Sequence, residues 1–220
     1  MPREAFRREL EKLRESLLDM AGRVESQIDE ALAALRQLDR EAADRVRRND
    51  QAINELFRQI RERVFTVVAT QQPVAGDLRM LMGLQYIAIE LERIGDYAVR
   101  IARRTAILAG LPNRPLRAEF GLMGELASQQ VRDILDALIE QNVEVATEVA
   151  AKDDEIDRLY IRVFDGLIEE LGAGTECSED ALRCVTLIQV GHDLERIGDR
   201  VRNVAEDVVF LESGRVVEMG

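Results

Sequence analysis

Apolar residues return every three or four positions along almost the whole chain, the spacing that lines one face of a helix. From about Arg3 to Leu38 the stripe is Leu13, Leu17, Met20, Val24, Ile28, Leu32 and Leu35. A second segment, about Arg40 to Thr70, puts Val46, Ile53, Phe57, Ile60 and Val64 on one face, and Gln71-Gln72-Pro73 breaks it. A third runs from about Ala75 to Ala109, with Leu84, Ile87, Leu91, Ile94, Ala98 and Ile101 as its apolar face. The stretch Gly110 to Pro115 is the strongest breaker in the chain. Three more segments follow: Arg117 to Gln141, Val143 to Leu171 and, beyond Gly172-Ala173-Gly174, Ser178 to Leu211. Pro2, Pro73, Pro112 and Pro115 all stand at segment edges, so no helix is interrupted by proline. The pattern predicts an all-α protein of six long helices.

The second half repeats the first. Leu91-Glu-Arg-Ile-Gly-Asp96 recurs as Leu194-Glu-Arg-Ile-Gly-Asp199, 103 residues on. At the same offset Asp50 meets Asp153, Ile53 meets Ile156, Leu56-Phe57 meets Leu159-Tyr160, and Ala34-Leu35 meets Ala137-Leu138. Between motifs the register slips by one, since Leu78-Arg79 best matches Leu182-Arg183. The expectation is two tandem, sequence-related antiparallel three-helix bundles, residues 1–111 and 116–220. A helix of about 30 residues is roughly 45 Å long, so two such bundles side by side make a flat, elongated molecule.

Composition narrows the function classes. Charged residues reach 33% and hydrophobic residues 46%, as long amphipathic helices require, and aromatics are only 4%. A net charge of −12 argues against nucleic acid as a partner, because phosphate contacts need clustered Lys and Arg. No apolar run approaches the roughly 18 residues of a membrane span, and the N-terminus lacks the apolar core of a signal peptide. Cys177 and Cys184 are too far apart along one helix to bridge, which suggests reduced thiols and a cytoplasmic protein.

The candidate chemistry is acidic. Glu92 and Asp96 are four residues apart on the third segment, as are Asp50 and Asn54 on the second. Their counterparts are Glu195 with Asp199, and Asp153 with Asp157. Residues four apart stand one above the other on a helix. Where two such helices face each other, carboxylates converge and resist ionisation unless a cation sits among them. A divalent or trivalent metal ion answers that need, with magnesium or manganese as candidates. In the second half the stripe continues through Asn203 and Glu206, where the first carries Arg100 and Arg103. On charge count alone, the second site is therefore expected to bind more tightly. The rival reading is ion pairing of Glu92 with Arg93 or Arg100, and of Glu195 with Arg196 or Arg202.

The doubled Leu-Glu-Arg-Ile-Gly-Asp motif, followed in the second copy by Asn203-Val-Ala-Glu206-Asp207-Val, resembles the PhoU family of phosphate-transport accessory proteins over nearly the whole chain. The resemblance implies a negative regulator of the phosphate-starvation response. It would be an adaptor linking the ATPase subunit of a phosphate ABC transporter to a sensor histidine kinase, reaching the membrane only through those partners. It also implies iron or zinc on the acidic pairs Glu92/Asp96, Asp153/Asp157 and Glu195/Asp199, with Asp50/Asn54 departing from the pattern. A homodimer is expected of such flat bundles.

Two other classes compete, besides a direct transcription factor, which the acidic charge and the absence of a short helix-turn-helix spacing disfavour. A ferritin-like di-metal enzyme needs Glu-x-x-His pairs; the single histidine, His192, forms none, and neither a Ser-His-Asp set nor a Gly-rich phosphate loop is present, so no enzymatic activity is expected. A metal-binding scaffold or chaperone-like protein without a signalling role fits size and shape equally well. Arg7-Arg8, Arg47-Arg48 and Arg103-Arg104 read as solvated faces, Met80, Met82 and Met123 as core, and Gly214 to Gly220 as a frayed tail.

Overall fold

The computed structural model describes residues 2–173, 178–214 and 216–219. Among these residues the chain forms seven helices and no strand: α1 (Pro2–Gln37), α2 (Arg40–Gln71), α3 (Gly76–Leu108), α4 (Ala118–Glu140), α5 (Val143–Ala150), α6 (Asp153–Gly172) and α7 (Ser178–Ser213). The six periodic segments are all there. The fifth is interrupted at Ala151 and Lys152, which divides it into α5 and α6. Both residues keep right-handed helical angles, and the Lys152 N–H turns back to the Val149 carbonyl at 3.1 Å, a single tightened turn. Neither Gly nor Pro marks it in the sequence.

The first turn of each half is built the same way. Leu38 and Gln141, 103 residues apart, both take left-handed angles, φ 50° and φ 55°. The next residue, Asp39 or Asn142, caps the following helix. Asp39 accepts from the amides of Glu41 and Ala42, and Asn142 accepts from Val145. A short side-chain oxygen satisfies donors that the helix start leaves open.

α3 and α7 are the central helices, and they are buried on two sides. The predicted face of α3, Leu84 through Ile101, is fully enclosed. A second stripe of small residues recurs every seven positions: Ala88, Gly95 and Ala102 on α3, and Gly191, Gly198 and Ala205 on α7, all buried. It lets neighbouring helices come close. A Cβ on Gly95 would lie 3.0 Å from Gln27 Oε1 of α1 and 3.6 Å from Ile53 of α2. The interior is one continuous apolar cluster that runs through both repeats.

The repeats pack about an approximate two-fold axis. Asp29 of α1 pairs with Arg132 of α4 at 3.3 Å, and these two positions are 103 apart. Flanking them, Ser128 donates to Asp29 at 2.5 Å, and Arg132 reaches Glu25, the counterpart of Ser128, at 3.9 Å. Such reciprocity is what a two-fold demands. Along the second seam α3 and α7 run antiparallel: Arg104 pairs with Asp193 at one end, and Glu90 with Arg200 at the other.

Three bland expectations are corrected. Arg104 is not on a solvated face; it forms that buried pair with Asp193 and also donates to Gln189, while Arg103 stays exposed. Met123 is core, but Met80 and Met82 are half-buried. The described part of the tail folds back, and the Met219 amide donates to Glu206 at 2.8 Å. Cys184 is a free, buried thiol whose pKa is raised by burial, whereas Cys177 lies outside the described residues.

Candidate functional site

In the first repeat, α2 and α3 set the predicted residues near one another, close enough for the charge of Asp50 to act on both Glu92 and Asp96. Asp50, Glu92 and Asp96 are half-buried. Burial first, then the charges of Asp96 and Asp50, hold the Glu92 carboxyl above its usual range. Burial and Asp50 do the same to Asp96. Arg93 and Arg100 act on these groups through space, but neither Glu92 nor Asp96 makes an ion pair among the described residues. Asp50 is held from two sides: Asn54 donates to its Oδ2 at 2.7 Å, and Gln27 of α1 donates to its Oδ1 at 3.2 Å.

The second repeat has the same frame and different electrostatics. Burial and the charge of Asp199 raise the Asp157 carboxyl, and Asp157 Oδ1 is buried without a hydrogen-bond partner among the described residues. Asp199 accepts from Arg196 at 2.6 Å and from Arg202 at 2.9 Å, and Arg196 also reaches Glu195 at 2.8 Å. The side chain of Asp153 lies outside the described part. Asn203 is not in this group; it turns across the seam and donates to Glu90 at 3.1 Å. His192 stands at the boundary, its pKa lowered by burial.

The expected ranking of the two sites rested on a count of acids, to which the geometry adds the arginines. Counting acids favours repeat 2, but the arginines at contact distance are in repeat 2 as well. Arginines at contact distance neutralise Glu195 and Asp199, so the ion-pair reading fits those two, whereas Glu92 and Asp96 of repeat 1 and Asp157 of repeat 2 make no ion pair among the described residues. Among the described residues, no three Asp, Glu, Cys or His side chains close around one point.

Sequence reasoning passed over Gln27 and Gln130. Both are 3% exposed, and they are 103 residues apart on the inner faces of α1 and α4. The signal was there: a glutamine at a core position of an apolar stripe, present in both halves at the common offset.

Fold and site define a class: an all-helical tandem-repeat protein whose two three-helix units meet about a pseudo-two-fold, each holding half-buried carboxylates between its last two helices. The PhoU domain matches residues 17–105 and again 120–208, and the chain belongs to that family. It is 36% identical to the phosphate-specific transport system accessory protein PhoU homolog of Clostridium acetobutylicum, over 100% of this chain and 99% of that one. It is 30% identical to the phosphate-specific transport system accessory protein PhoU of Escherichia coli (strain K12), over 96% and 86%. The crystal structure of PhoU from Pseudomonas aeruginosa superposes with a TM-score of 0.90 at 35% identity, covering 96% of this chain and 100% of that one. That of the phosphate transport system regulatory protein PhoU from Streptococcus pneumoniae gives 0.88 at 28%, covering 97% and 99%.

Proposed function

We propose that this chain is an accessory regulator of phosphate uptake that represses the phosphate-starvation response when phosphate is plentiful. The observation that carries the reading is the pair of PhoU-domain matches, together with relatives named as accessory proteins of the phosphate-specific transport system. In the finer form of the proposal the protein is a cytoplasmic adaptor, working as a homodimer. It docks on the transporter's ATPase subunit and on a sensor histidine kinase, and holds the kinase silent. Exposed Ile161, Phe164 and Ile168, at one-face spacing on α6, supply an apolar row of the kind that a protein partner covers. No described helix is long and apolar enough to cross a membrane, consistent with contact through partners.

Deleting the gene is expected to leave a phosphate-starvation reporter fully on in phosphate-rich medium, and re-expression should switch it off. Normal repression in the deletion strain would reject the role.

We further propose that the carboxylates bind a cation, with repeat 1 the stronger site. Half-buried Glu92 and Asp96, raised by burial and by neighbouring acids and lacking ion pairs, are the groups that a positive charge would relieve. Asp50, Asn54, Glu92 and Asp96 offer only oxygen donors to a metal, which suits Mg²⁺, Mn²⁺ or ferric iron better than zinc. When bound, the metal would supply charge neutralisation and stiffen α2 against α3. Binding requires the carboxylates deprotonated. Mn²⁺ affinity is therefore expected to rise from pH 5 to pH 7, and to fall at least tenfold in Glu92→Ala/Asp96→Ala. Calorimetric titration showing the same affinity in that variant would remove repeat 1 as the site.

A further inference from the structure

We infer that Gln27 is a positioning residue for the repeat 1 carboxylate site: a buried amide that holds Asp50 in the orientation a cation needs. This inference rests on the cation-binding reading above.

The geometry at Gln27 admits one orientation of the amide. An ionised Asp50 can only accept hydrogen bonds, so the NH₂ of Gln27 must face it, and Gln27 Nε2 lies 3.2 Å from Asp50 Oδ1. The amide oxygen is then directed to the other side, against α3. There Oε1 is buried and has no hydrogen-bond partner among the described residues. It lies 3.0 Å from where a side chain on Gly95 would begin, on the helix that carries Glu92 and Asp96. A buried polar atom without a partner costs about 1–3 kcal/mol. A leucine or methionine at this core position would avoid that cost but would forgo the bonds that the amide donates to Asp50 and, at 3.5 Å, to the Val46 carbonyl. Those bonds orient Asp50: with Gln27 on Oδ1 and Asn54 on Oδ2, the carboxylate has little rotational freedom. Fixing a ligand through an outer hydrogen bond is how metal sites gain affinity.

Gln130 occupies the matching position in repeat 2. It is 3% exposed, neither amide atom has a partner among the described residues, and Asp153 stands to it in sequence as Asp50 does to Gln27.

Gly95 belongs to the same device. Mid-helix glycine is disfavoured against alanine, and here the missing Cβ leaves room for the Gln27 amide. Gly95→Ala would press on Oε1 at 3.0 Å and turn the amide away from Asp50, while helix propensity favours the substitution.

The test is a Mn²⁺ titration of the full chain by calorimetry, with Glu92→Ala/Asp96→Ala identifying the repeat 1 phase. Gln27→Met is expected to weaken that phase about tenfold, with the Tm of the metal-free protein unchanged or higher. Gly95→Ala should weaken it in the same direction, and it reports independently should Gln27→Met fail to fold. Gln130→Met should leave the repeat 1 phase alone. Wild-type protein that takes up no Mn²⁺ overturns the cation reading and this inference with it. Wild-type binding that is unaltered in Gln27→Met and Gly95→Ala overturns the inference alone, and so does a loss matched by an equal fall in metal-free Tm.

Discussion

Arg104→Met is expected to cost about 3 kcal/mol of stability at pH 8, seen as a fall in Tm of roughly 6–12 °C for a chain of this size. Arg104 of α3 is the partner of Asp193 on α7, whose side chain is 1% exposed. Taking a carboxylate out of water is so unfavourable that burial pushes Asp193 up to about 6 even with Arg104 and Arg100 pulling it down. Its ordinary value is 3.8, so the folded state holds this proton more tightly than the unfolded chain does. The contribution of Asp193 is thus most favourable below about pH 4 and is lost as pH rises through 6. Without Arg104 the ionised form has lost its main counter-charge. The deficit of Arg104→Met should therefore be full at pH 8 and small at pH 5, where Asp193 carries a proton. Arg104→Met/Asp193→Leu should recover most of the loss, because removing both charges also removes the desolvation cost. Urea unfolding at the two pH values decides the matter: an equal loss at both would mean that Arg104 acts through the packing of its stem alone.

At the other end of the same seam the effect reverses. Asp207→Asn is expected to stabilise the protein at pH 8 by about 2 kcal/mol and to change nothing near pH 4. Arg104 and Asp207 are equivalent positions in the two repeats, as are Asp193 and Glu90. The two-fold that sets Arg104 against Asp193 therefore sets Asp207 near Glu90, acid against acid. Burial, then Glu90 and Glu206, push the Asp207 carboxyl up to about 7. Arg200 and Asn203 of α7 both engage Glu90, and the Met219 amide engages Glu206, so the neighbours of Asp207 are held in place. With a folded value near 7 and an ordinary value of 3.8, stability falls as pH rises between them. The full shift corresponds to about 4 kcal/mol, and partial solvent access together with the retained burial of an amide lowers the expected gain to about half. Thermal unfolding of Asp207→Asn at pH 4, 6 and 8 should show a difference from wild type that grows with pH. A difference independent of pH would show that these acids move apart on ionising.

These two ends show how far the sequence could be read. The offset of 103 already declared Arg104 and Asp207 equivalent, and Glu90 and Asp193 likewise. Nothing in the sequence said that the first position would face the second across the seam. Arg104 looked like half of a solvated basic pair because its neighbour Arg103 is one, and a helical face cannot be assigned without the helix that covers it. The carboxylates went the same way: Arg196 and Arg202 stood beside Asp199 in the sequence, but only side-chain geometry showed them in contact with it.

The apolar spacing, the placement of proline and the duplicated motif were sufficient by themselves to specify the helices, their antiparallel order and the division into two related halves. Each depends on neighbours within a few residues or on an internal comparison, so local physics carries them. The two-fold seam, the turn at Ala151 and Lys152, the reach of Gln27 to Asp50 and the opposite electrostatics of the seam's two ends came only with the folded chain. They depend on which face of one helix meets which face of another, and that is settled by the packing of the whole core.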